Sequence, residues 1–163
     1  MNGNFIDIYR AISRGGEEKE IEIGEIIALN EKTAEYGLVL TQKDVEEIVA
    51  ARREALKNFG RAEIACDLAV KLIGAFSDSP YIEQSTYKNT INRLIDLFYE
   101  LKNETEDLIS DGEAIAFMKN SFNGECNGSL ELLAYKTLPE FAAAVRREKG
   151  KSMFDGLTSS DDD

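Results

Sequence analysis

The chain has no histidine. That single absence removes the Ser-His-Asp triad, the Cys-His dyad, histidine-ligated zinc and histidine general-base catalysis from its own chemistry. Cysteine is scarce as well: Cys66 and Cys126 are the only two, and they form no CxxC pair. With no basic-then-apolar secretory pattern at the start, two such distant thiols read as free cysteines in a reducing cytosol, so a cytoplasmic location is expected. No apolar run approaches the ~20 residues that cross a bilayer, and no membrane partner is expected. Basic clusters are missing too. The net charge is −12, from 31 acidic and 19 basic residues, and the doublets Arg52-Arg53 and Arg146-Arg147 are both flanked by carboxylates. Such a surface repels a phosphate backbone, so nucleic acid is not an expected partner.

Sites for cofactors are equally absent. There is no phosphate-cradling glycine loop and no Ser-x-x-Lys arrangement. The acids Glu104, Glu106, Asp107, Asp111 and Glu113 match neither an EF-hand loop nor the Glu-x-x-His pattern of di-iron bundles. A solvated face plus a helix cap explains them, and no metal, cofactor or catalytic residue is assigned. The sequence also carries no internal repeat.

What is present is helix. The 163 residues are 43% apolar and 31% charged, a globular balance in a chain long enough to bury about two-thirds of its unfolded surface. Between Thr86 and Thr105, Tyr87, Ile91, Leu94, Ile95, Leu97, Phe98 and Leu101 fall within an arc of roughly 160° at helical spacing. An arc this wide marks a helix contacted on more than one side. Thr41-Gln-Lys-Asp44 is close to a capping box and opens a helix to Phe59, with Gly60 placed for a left-handed end. Its apolar face is Val45, Ile48, Val49, Ala55, Leu56 and Phe59. A third helix spans about Ile64 to Phe76, stopped by Ser77-Asp-Ser-Pro80. Ser110-Asp-Gly-Glu113 caps another helix, ended by Asn123-Gly124, and Ser129 caps a short one. Pro139 sits at the start of the last helix, with Gly150 after it. Gly15-Gly16 is expected to end an amphipathic N-terminal arm (1–16), and glutamates from Glu17 suit a new helix start. The expected organisation is the arm, a single helical domain over 17–149, and a disordered acidic tail over 150–163.

Two residues, Arg52 and Lys102, break the apolar pattern, and the two cysteines also bear on function. Arg52 lies seven residues after Val45, on an otherwise apolar face, so its guanidinium either lines a pocket or forms a salt bridge, for instance to Glu31 or Glu104. Lys102 projects inside the apolar arc and either tips toward the free carbonyls of its helix end or joins a polar cluster with Asn103 and Glu104. Cys126, in the loop Asn123 to Ser129, lies near a helix N-terminus, where a thiol can be activated for redox or metal sensing. Cys66 reads as a small buried hydrophobe.

Several segments taken together resemble a known group. Asn30-Glu-Lys-Thr33 precedes Tyr36-Gly-Leu38 and Thr41; then follow Phe76-x-Asp-Ser-Pro-Tyr81, Phe98-Tyr99-x-x-Lys-Asn-Glu104 and Gly124-x-Cys-x-Gly-Ser-Leu-Glu131. Over about residues 25–147 this set resembles a family of small helical proteins from clostridial and related anaerobic bacteria, classed as a domain of unknown function. The resemblance implies a cytosolic bacterial protein and supplies no activity.

The expected fold is therefore an all-α, irregular or orthogonal bundle of six to eight helices around a central helix near 86–102. The expected function is non-enzymatic recognition of another protein, as an adaptor or accessory subunit. The alternatives are a small-ligand or enzymatic pocket lined by Arg52, Lys102, Asn103 and Glu104, and thiol sensing through Cys126. The sequence leaves the oligomeric state open.

Overall fold

A computed structural model describes residues 3–63 and 67–158, with side chains described for 16–63 and 67–152. Six helices of nine residues or more carry the described chain: α1 (Gly3–Ala28), α2 (Gln42–Asn58), α3 (Leu68–Phe76), α4 (Tyr87–Glu104), α5 (Asp111–Asn123) and α6 (Leu138–Thr158). No strand occurs among the described residues, so the protein is all-α as its periodicities require. No helix of the described residues is long and apolar enough to cross a membrane. The chain divides into two compact units, Met1–Ile95 and Asp96–Asp163.

In the first unit, α1 packs on α2 and α3, and α2 packs on α3. The helix expected to stop at Gly15-Gly16 does not stop there: α1 runs through both glycines. A mid-helix glycine costs roughly 0.5–1 kcal/mol, but extending a helix already nucleated by packing adds one hydrogen bond per residue and overrides that cost. The packing is visible downstream, where Glu22 and Ile26, one turn apart, are both buried. After short turns at Asn30–Thr33 and Ala34–Tyr36, Gly37 takes φ +74, a left-handed conformation that ends the helical run.

Leu38, Val39 and Leu40 belong to no helix or strand, and side chains satisfy much of their backbone. The Asn30 amide donates to Leu40 O at 2.8 Å while its oxygen accepts Leu40 N–H at 2.9 Å. Gln84 does the same for Val39, with both bonds at 2.8 Å. Thr33 Oγ1 donates to Leu38 O at 2.7 Å. Two amides thus replace the missing neighbouring strands, which leaves Leu38 and Leu40 free to bury their side chains.

The α2 cap forms as the sequence specifies. Thr41 Oγ1 accepts Asp44 N–H at 3.1 Å, and Asp44 accepts Thr41 N–H at 3.0 Å. That amide holds the Asp44 carboxyl below its ordinary pKa. Gly60 closes the far end at φ +63. Residues 64–66 lie outside the described residues, and with them the helix start expected at Ile64 and the burial expected of Cys66; α3 is described from Leu68. Along α4, Tyr87, Ile91, Leu94, Ile95, Leu97, Phe98, Tyr99 and Leu101 are all buried, as the wide arc requires.

In the second unit, Ser110 Oγ accepts Glu113 N–H at 3.1 Å to start α5, and Phe117 stacks on Phe141 with centroids 3.7 Å apart. Ser129 caps the turn Leu130–Leu132 by accepting Leu132 N–H at 3.2 Å. A π-helical segment, Leu133–Thr137, then feeds directly into α6, packing on α5 and α6. The last helix also passes its expected stop, continuing through Gly150 to Thr158. Residues 159–163, the end of the expected acidic tail, lie outside the described residues.

Candidate functional site

The last turn of α4 places Lys102, Asn103 and Glu104 in the second unit, each in a different setting. Lys102 is only 6% exposed. It does not tip onto the carbonyls of its own helix. Its Nζ donates to Ile109 O at 2.6 Å and pairs with Asp111 at 3.0 Å and Asp107 at 3.7 Å. This ammonium stitches the end of α4 to the start of α5. The turn it holds is unusual, because Glu106 and Asp107 have φ +54 and +55 without being glycine. Asp107 N–H reaches back to Lys102 O at 2.9 Å and Glu106 N–H to Asn103 O at 3.0 Å, closing the helix. The Asn103 side chain is exposed.

Glu104 faces α6. Arg146 Nη1 donates both to Glu104 O and to its carboxylate, the latter at 3.2 Å. One turn further on, Lys149 pairs with Glu106 at 2.9 Å and holds that carboxyl below its usual range. Together Glu100, Glu104 and Arg146 form the polar rim of a cleft of about 210 Å³, with Ala134, Leu138 and Pro139 as its apolar lining. Leu138, Ala142 and Arg146 recur every fourth residue on α6. That spacing is the signal by which Arg146 could have been placed beside a cleft residue, and reading the sequence missed it.

Arg52 lies in the first unit and is 2% exposed. Its Nη2 donates to Glu63 at 3.1 Å and its Nη1 lies 3.7 Å from Glu22. Among the described residues, Glu22 and Glu63 bring carboxylates to it, and neither is a partner that the sequence pointed to. The reason is position: α1 packs on α2, and Glu22 sits on the buried side one turn before Ile26. Glu22 is itself 1% exposed, and neither of its oxygens accepts a hydrogen bond from the described residues. Burial pushes its carboxyl pKa up, with Arg52 and then Arg53 opposing the shift and Glu25 reinforcing it. Arg53 is half-buried and lines a shallow depression with Lys19 and Glu54. Glu22 escaped the sequence reading because it sits in an Ile-Glu-Ile run that draws attention to its neighbours. Its i,i+4 relation to Ile26 was the available clue.

Cys126 is a free thiol and is 1% exposed, with Sγ 3.3 Å from Thr137 Oγ1 on the π-helical segment. Burial shields this thiol from solvent. The acids from Glu104 to Glu113 are spoken for one by one: Arg146 takes Glu104, Lys149 takes Glu106, Lys102 takes Asp107 and Asp111, and Ser110 Oγ donates to Glu113 at 3.0 Å.

Residues 25–151 match a family of unknown function (DUF6323), and the chain belongs to it. No curated protein matches the chain, and no solved structure does. The matched span contains Asn30, Thr33 and Gly37, whose structural work around residues 37–40 is described above, together with the whole rim and lining of the cleft.

Proposed function

We propose that this member of the family of unknown function is a non-enzymatic protein-interaction domain, an adaptor or accessory subunit that recognises another protein. The observation that carries the reading is the cleft at Glu104 and Arg146. Its volume, about 210 Å³, lies below the roughly 300–1,000 Å³ of small-molecule and cofactor pockets. It suits one large side chain presented by a partner. The segment that supplies Ala134 and Leu138 also displays Leu132, 45% exposed, and Tyr135, 79% exposed. Exposed tyrosine beside a small pocket is the composition of an interface anchor point. The free thiol of Cys126 supports a reducing, cytoplasmic setting.

Co-purification of the full chain from its host, beside a Tyr135→Ala variant, tests the reading. A protein recovered in near-equal amount with the wild type and depleted with the variant supports it. Recovery of the free chain alone overturns it. The competing reading, a small-ligand pocket, draws on Glu104 at the cleft rim. A thermal-shift screen of metabolites against wild type and Glu104→Gln separates the two: a ligand that stabilises only the wild type favours the pocket, and an equal response removes it.

A further inference from the structure

Building on the interaction reading, we infer that the cleft between the end of α4 and the start of α6 receives a lysine or arginine side chain from a basic segment of the partner. Charge is the first ground. Arg146 is committed to Glu104 through two hydrogen bonds. Glu100, one turn earlier on the same rim, is exposed, and among the described residues its side chain has no ion-pair or hydrogen-bond partner. The unspent charge at the mouth is therefore negative. An anionic guest would meet two carboxylates, and a wholly apolar guest would cover Glu100 without compensating it.

Shape is the second ground. Ala134 and Leu138 are nearly buried and form a floor, while Pro139 is exposed at the edge. A long cationic side chain fits this arrangement, because its methylene stem lies on apolar atoms while its head stays at the polar rim. The third ground is the surrounding field. Among residues 96–152, whose side chains are described, there are 11 acidic and 7 basic residues, a net charge of −4. Such an excess steers cationic segments toward the cleft and makes their capture salt-sensitive.

Random dodecapeptides displayed on phage and panned against the full-length chain, with Glu100→Lys as the counter-target, test the inference. Matched thermal melts of the two proteins show that the exposed substitution leaves the fold intact. The expected result is enrichment of peptides carrying Lys or Arg. A synthesised winner should bind wild type about tenfold more tightly than Glu100→Lys, and replacing its basic residue with norleucine should cost a similar factor. Winners lacking basic residues, or winners that bind both proteins equally, overturn the inference while leaving the interaction reading standing. Retention of no peptide also overturns it, and the co-purification then decides separately whether the broader reading falls.

Discussion

The two units use the same pair of side chains to opposite ends. In the first, Arg52 is shut among Glu22 and Glu63 at 2% exposure; in the second, Arg146 meets Glu104 at the rim of an open cleft, with side-chain exposures of 40% and 59%. Buried, an arginine–carboxylate contact carries a heavy desolvation cost and becomes a condition of folding. Exposed, it contributes little to stability and leaves a neighbouring carboxylate such as Glu100 available to an outside cation. Depth in the protein, not residue type, divides structural ion pairs from recruitable ones.

The sharpest way to break this contrast is Arg52→Met. Removing the cation leaves Glu22 in the interior without it, and the expected loss is about 3–5 kcal/mol in urea unfolding. A second substitution, Glu22→Gln, should restore part of that loss when made in the same chain. If Arg52→Met unfolds with wild-type stability, the buried cluster is not structural. Next in size is Lys102→Met, which strips Ile109 O of its donor and should cost roughly 1–3 kcal/mol by the same measurement. It should do so without affecting the cleft rim.

Glu22→Gln alone sharpens the contrast through pH. Burial raises the folded pKa of Glu22 above the ordinary 4.5, so in the window from 4.5 up to that raised value the folded state holds more protons than the unfolded one. Wild-type stability therefore falls as pH rises through this window, and the variant should lack that decline. Asp44 and Glu106, both lowered, act in the other direction, their contribution disappearing as pH falls through their folded pKa values. Unfolding midpoints of the two proteins measured from pH 4.5 to 8 give the comparison, and parallel curves would remove Glu22 from the account. The smallest effect belongs to Arg146→Ala: at an exposed pair it should change stability by less than about 1 kcal/mol. A larger loss would mean that the cleft rim is as structural as the buried cluster.

Local chemistry determined more of this protein than its unbroken run of helices suggests. The Thr41–Asp44 box, the Ser110 and Ser129 caps, the stop at Pro80, the left-handed Gly60 and the buried arc of α4 were all legible because each depends on residues within a turn or two of one another. Membership of a family of unknown function was legible from the short segments that begin at Asn30, Phe76, Phe98 and Gly124. Tertiary structure alone decided that α1 runs through Gly15-Gly16, that Arg52 answers to Glu22 and Glu63, that Lys102 caps a neighbouring element, that two side-chain amides hold residues 39 and 40, and that Cys126 is sealed against Thr137. The physical reason is common to all five. Spacing along a chain says which face a side chain shares, whereas burial and pairing depend on what another segment brings to that face. For a charged group, that meeting sets whether the charge belongs to the fold or remains open to a partner.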